Sequence, residues 1–441
     1  MGKIKEYLIK FGPLEWALTV LSLLSVGLIG YFVIRGYTNV FFYDQWEVYV
    51  RLVDVKTPWN ALVVGWAPHA GHRMVLSYLV DWINGKVFSW SNAPLLLLSA
   101  TFQVALAFLM VKILQPVRRR LAFIASCIIV ALLFYGAQIE NFIWAMQVSY
   151  FLTFTLSGFA LYANAKDRPI ISFLAAICAS FSMINGLLIW PALLIQSGLI
   201  RVRPARMWAW FLIGLGTWVI YLTHYANAKP NGSITALSNM PIVFIKLLGG
   251  PANLVSGYFA IIAGVFLLVG VCSYMYITFM RRDQIAPAIL KSCSVFIGLG
   301  FIALGTELIT LLGRAIAETR FSEALNLPSR YMTNDLILWA CLCGLSVLLT
   351  PERVSRTCKA VLSAPVVVML ATSFIVIPSM MWWSNFFSHQ LQEFAIDLCH
   401  GRIPPSVMTI YPYPDTDILL KNTLHMIEQK QSFGTSDWCR K

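Results

Sequence analysis

Apolar runs of roughly twenty residues recur along this chain, and no other feature limits its fold so strongly. Leu14 to Ile34 and Gly257 to Met280 are each long enough to cross a hydrocarbon core. Lipid offers backbone groups no hydrogen-bond partners, so such runs must be helices. Composition agrees: of 441 residues, 58% are hydrophobic and only 12% charged, too few charges to clothe a soluble surface. The expectation is an all-α integral membrane protein with about eleven transmembrane helices. They fall near 14–34, 93–114, 121–136, 142–163, 169–184, 187–200, 207–225, 257–280, 286–312, 332–349 and 360–382.

Charge orients these spans. The leader Lys3, Lys5, Lys10 runs into a first stretch too long and bulky for a cleaved signal, with no small-residue cleavage site after it. An uncleaved first span with a cytosolic N-terminus follows. The loops on that side then carry Lys112 with Arg118, Arg119 and Arg120; Lys166 and Arg168; Arg201, Arg203 and Arg206; Arg281 and Arg282; Arg353, Arg356 and Lys359. Every one is basic, as the positive-inside rule requires. The formal net charge of +13 is thus a topology signal, and no basic face for nucleic acid is seen.

The opposite side receives the first loop (35–92), short turns at Gln138–Asn141 and Asn185, the loops 226–256 and 313–330, and a tail, 383–441, after a transmembrane unit of 1–382. Asp44 to Val53 and Met74 to Val87 read as amphipathic interfacial helices, with a re-entrant hairpin as the alternative. Pro404, Pro405, Pro412 and Pro414 before a helix-like Thr416 to Gln429 make the tail a small soluble appendage. Of nine cysteines, only Cys399 and Cys439 share the oxidising side, where a disulfide and two free thiols are both open.

The polar residues that could carry chemistry lie mostly on that side. Asp44, in Phe42-Tyr43-Asp44-Gln45-Trp46, is either a general base sharpened by partial desolvation or the cap of the helix it precedes. His69, His72 and Arg73 could hold a phosphate or sugar hydroxyl, or form an ordinary polar loop. The pair lacks the Glu of a His-Glu-x-x-His site and a third ligand, so no metal is expected. Glu140 and Asn141 stand at the mouth of the fourth span, with Trp144 and Gln147 along the same helix. Glu307 is an intramembrane carboxylate with Arg314 its expected partner and Glu318 beyond, read as functional or as a structural ion pair. Arg330, in Ser329-Arg330-Tyr331, is placed to snorkel to a lipid-linked phosphate or any anionic headgroup.

Together these segments, with Glu140 to Gln147, Asn185-Gly186-Leu187, Trp190-Pro191 and Tyr411-Pro412-Tyr413-Pro414-Asp415, resemble lipid-dependent glycosyltransferases of the GT-C class. They are similar in particular to the phage-borne O-antigen glucosyltransferases of the serotype-conversion type. The chain departs in having Ala70 and Gly71 where Asn and Glu often stand, and a single Asp44 in place of an acidic pair, which argues against a carboxylate-bound metal. The resemblance implies a multi-pass enzyme of the bacterial inner membrane, its C-terminus periplasmic. It would move a sugar, by resemblance glucose, from undecaprenyl phosphate to a periplasmic glycan such as the O-antigen of lipopolysaccharide, without a cofactor. Asp44 would be the base, with Glu140 and Glu307 in reserve. Arg73, Arg314 and Arg330 would steady the departing phosphate, and Trp46, His69, His72, Asn141 and Tyr331 would line the substrate site. A transporter or flippase of lipid-linked sugars and a non-catalytic assembly protein are the rival readings; the first should place charges deep in the bundle.

Overall fold

A computed structural model describes residues 12–69, 72–223, 234–317, 329–350, 356–404, 407–411, 416–436 and 439. Among them the chain is helical, without strands beyond one isolated bridge. Eight helical stretches among the described residues are long and apolar enough to cross a membrane, Pro13–Arg35, Asn92–Ile113, Arg119–Ile143, Pro204–Leu222, Gly257–Met280, Pro287–Leu312, Ser329–Leu349 and Arg356–Cys399. The expected fourth, fifth and sixth spans correspond to Val148–Ala165, Pro169–Ser180 and Ile184–Leu199, which fall short in apolar character or length.

Local chemistry sets many of the boundaries. Pro13, Pro58, Pro169 and Pro204 open their helices, where the missing N–H costs nothing and the fixed φ suits the first turn. Thr57 and Ser256 cap theirs by accepting the backbone N–H of Asn60 (3.2 Å) and Phe259 (3.1 Å). The Met332–Leu349 helix is the axis of the bundle, with every residue from Met332 to Leu348 buried. Gly344 lets the ring of Phe296 approach so closely that a Cβ would lie 2.5 Å from it. Pro13–Arg35 sits at the rim, with Leu23, Leu24 and Ile34 turned outward as lipid-facing side chains are.

Three parts differ from the sequence-based expectation. Within the expected loop 226–256, Ile234–Leu248 is a helix packed on Gly257–Met280 and Pro287–Ala317; its Asn239, Pro241 and Lys246 break the apolar run that would have marked it. The expected boundary at 383 falls inside a helix, since Arg356–Asn385 continues through a π-turn at Phe386–Gln390 into Leu391–Cys399. The tail is also no separate appendage. Trp46, Tyr49 and Trp90 of the first loop share a second hydrophobic core with Phe394, Tyr411, Leu419 and Phe433 of the tail, and Cys399 is disulfide-bonded to Cys439.

The first loop supplies the expected helices as Gln45–Leu52 and Val75–Phe88, and a further one, Pro58–Trp66. The last two pack as a hairpin. Gly65 permits it, because a Cβ there would come within 2.9 Å of Tyr78 Cβ and of the Val75 backbone. At the tip, His69 and His72 exchange backbone hydrogen bonds of 2.8 Å each way.

Candidate functional site

Arg120 pairs with the buried Glu15, which puts the basic turn Arg118–Arg120 at the Pro13 end of the first helix. Asp44 follows Arg35 and therefore lies at the other end of the bundle. Tyr43, just before it, is held in the left-handed region (φ 55°), a conformation costly for a bulky residue and frequent at functional sites. Its N–H donates to Ile410 O (2.9 Å), so the tail fixes the turn. Asp44 occupies the N-cap position, yet its side chain accepts no bond from the helix. The capping alternative is thereby settled against, and the carboxylate, 26% exposed, projects elsewhere.

It projects toward His69. That imidazole is buried, with Nε2 3.9 Å from Asp44 Oδ2, an ion-pair separation, and Nδ1 3.3 Å from Glu47 Oε1. The Tyr78 hydroxyl lies 3.1 Å from the same Nδ1. Burial alone would push the imidazole's pKa down; the carboxylates of Asp44 and Glu47 outweigh it and raise it to about 9. His69 is thus a cation at neutral pH, flanked by two acids. Beneath it, Asp81 is buried beside a water-sized cavity of about 20 Å³, and burial raises its carboxyl to about 7 against the lowering pull of His69.

Arg73 does not join this cluster. Its guanidinium donates to the carbonyls of Tyr221 (2.6 Å), Trp66 and Thr223, with Trp66 stacked at 4.6 Å, and its backbone N–H meets the Tyr221 hydroxyl at 2.7 Å. It clamps the hairpin to the end of Pro204–Leu222, so its guanidinium is engaged in structure where the sequence suggested a phosphate ligand. The backbone of His72 closes the hairpin tip. Trp46 is also structural: fully buried, it donates to Phe41 O (3.1 Å) and packs edge-on against Tyr411 and Phe433.

A second group lies across Trp144. The indole donates to Phe42 O (3.2 Å), beside Asp44, and the Arg330 guanidinium sits 5.9 Å from its ring and 5.2 Å from that of Tyr331. Arg330, 29% exposed, bonds Glu140 at 2.7 Å, and the other Glu140 oxygen accepts from Ser329 Oγ (3.0 Å) and Arg330 N (3.3 Å). Both oxygens of Glu140 are spent on holding Arg330. Asn141 pins the same turn, donating to Arg330 O (2.8 Å) and Thr333 Oγ1 (2.6 Å). The Arg314 side chain and Glu318 lie outside the described residues, as does Pro412–Asp415.

Two further buried carboxyl groups lie close by, of which the sequence marks Glu307. Glu307 is fully buried with neither oxygen partnered among the described residues, and Asp335, also buried, is close enough to feel its charge. Gly250 (φ +40°) backs Asp335, where a Cβ would stand 2.7 Å from Oδ2. Asp335 carries a signal in the sequence, since it interrupts an apolar run, and Glu47 lies three residues past Asp44, one helical turn away. Among the described residues no three His, Cys, Asp or Glu side chains form a metal-ion donor set. Comparison with protein-family models, curated proteins and solved structures finds no match.

Proposed function

We propose that this protein is a bacterial inner-membrane glycosyltransferase, N-terminus cytoplasmic and C-terminus periplasmic. It transfers a hexose, glucose by resemblance, from undecaprenyl phosphate to a periplasmic glycan such as O-antigen. The observation that carries the reading is Asp44: a partly exposed carboxylate, released from capping, set on a strained turn and held by a buried imidazolium. In the reaction, the acceptor oxygen attacks the anomeric carbon while Asp44 takes its proton. The bond from that carbon to the phosphate oxygen breaks, and the lipid phosphate leaves with the electron pair. Arg330, oriented by Glu140 and partly exposed, steadies the departing phosphate. In-line attack from one side inverts the anomer, and the scheme uses no metal.

The test is surface-glycan composition in cells carrying the wild-type protein or Asp44→Asn, with membrane levels measured in parallel. Loss of the added sugar with normal insertion supports the reading; an unchanged glycan beside a normally inserted variant sinks it. One observation favours the transporter reading instead. Glu307 and Asp335 are carboxyl groups buried between spans, a placement that ion- or proton-coupled carriers also use. If Glu307→Gln with Asp335→Asn abolished translocation of a lipid-linked sugar and Asp44→Asn did not matter, that reading would replace ours.

A further inference from the structure

At the basic end of the bundle, away from Asp44, lies a cavity of about 390 Å³. Three helix ends frame it. Lys112 stands in the last turn of the Asn92–Ile113 helix, Lys166 follows Val148–Ala165, and Lys291 stands near the start of Pro287–Ala317. Lys112 and Lys166 bring their ammonium groups to one ring, that of Tyr162, at 5.6 and 5.5 Å from its centre. Ser292 adds a hydroxyl to the wall, and Ile113 and Val295 make part of it apolar.

No carboxylate among the described residues comes within ion-pair distance of these three lysines; Asp167, next to Lys166, is paired with Arg206 at 2.5 Å and reaches Lys291 only at longer range. Topology requires only that basic residues remain on one side of the membrane. Converging on one concavity is a further condition, and it costs mutual repulsion that an anion would relieve. Lysine suits that task as a mobile point charge.

We propose that this cavity binds the phosphate of an anionic phospholipid headgroup. The volume far exceeds a single phosphate ion, the apolar wall suits the start of acyl chains, and basic pockets between helices at a membrane surface recognise such headgroups. The proposal does not rest on glycosyl transfer.

The experiment titrates the full-length purified protein with phosphatidylglycerol, phosphatidylcholine or inorganic phosphate, reading bound lipid by native mass spectrometry and stability by thermal shift. Phosphatidylglycerol should be retained and raise the melting temperature, and phosphatidylcholine should not. Lys112→Gln, Lys166→Gln and Lys291→Gln should each weaken retention roughly fivefold at low salt. Arg281→Gln with Arg282→Gln, on the same side but outside the cavity, should leave it unchanged. Equal binding of the two lipids overturns the proposal, as does retention by a folded triple variant. Displacement of the lipid by millimolar phosphate would assign the site to the free ion and overturn the lipid source. Should the triple variant not fold, the single changes at the exposed Lys166 and Lys291 decide the matter.

Discussion

Asp44 and Glu140 are carboxylates on the two sides of Trp144, and their surroundings give them opposite capacities. Glu140 is 1% exposed and spends both oxygens on Arg330 and Ser329. Asp44 keeps a quarter of its side chain open and, among the described residues, pairs with an imidazolium at 3.9 Å. A carboxylate with every lone pair engaged organises its neighbours, whereas one with free lone pairs can accept a proton. Position at the mouth of a span made both candidates; their hydrogen bonds separate them.

That contrast can be broken most directly by removing each charge. Asp44→Asn should reduce sugar transfer by roughly a hundredfold to ten-thousandfold, the range for a lost general base, with only a small fall in melting temperature because Glu47 still faces His69. Glu140→Gln should do the reverse, costing roughly 3 kcal/mol of stability because it strands Arg330, so that activity per folded molecule falls far less than membrane level. Arg330→Gln beside it should add little further loss of stability; full additivity would mean the two do not act as a pair.

A smaller effect tests the partner of Asp44. The pKa of His69 is raised in the fold, so its stabilisation is complete below about pH 6.5 and is lost as pH rises through about 9. Transfer measured against pH should fall on that alkaline limb, and His69→Gln should abolish the limb. A wild-type profile flat to pH 10 would remove His69 from the site.

The smallest change is expected at Asp81, whose raised pKa means stability declines as pH climbs from about 4 through about 7. Asp81→Asn should flatten that slope and melt a few degrees higher than wild type at pH 8, by about the increment that 1 kcal/mol brings in a domain of this size. Equal slopes for the two proteins would place the Asp81 charge outside the buried cluster.

Much of the bundle was legible because membrane burial is written locally. The runs at 14–34, 93–114 and 257–280 became Pro13–Arg35, Asn92–Ile113 and Gly257–Met280 within a residue or so. Ile234–Leu248 escaped because Pro241 and Lys246 interrupt its hydropathy. The second core escaped for a different reason. The contact of Trp46 with Phe433 joins residues nearly the whole chain apart, and no periodicity announces such a pairing. At the site, Asp44 and His69 stood out singly by residue type. That they face one another, and that Arg73 turns instead to three carbonyls, depends on a hairpin whose closure rests on Gly65.

The union of first loop and tail also fixes an order of events during synthesis. Tyr43 needs the carbonyl of Ile410, Trp46 needs Tyr411 and Phe433, and Ser432 reaches back to the carbonyls of Asn39 and Ser89. The seat of Asp44 therefore stays unfinished while every intervening helix is made and inserted. A truncation before Ile410 would therefore leave the turn that carries Asp44 without its partners, although nothing near Asp44 in the sequence had changed.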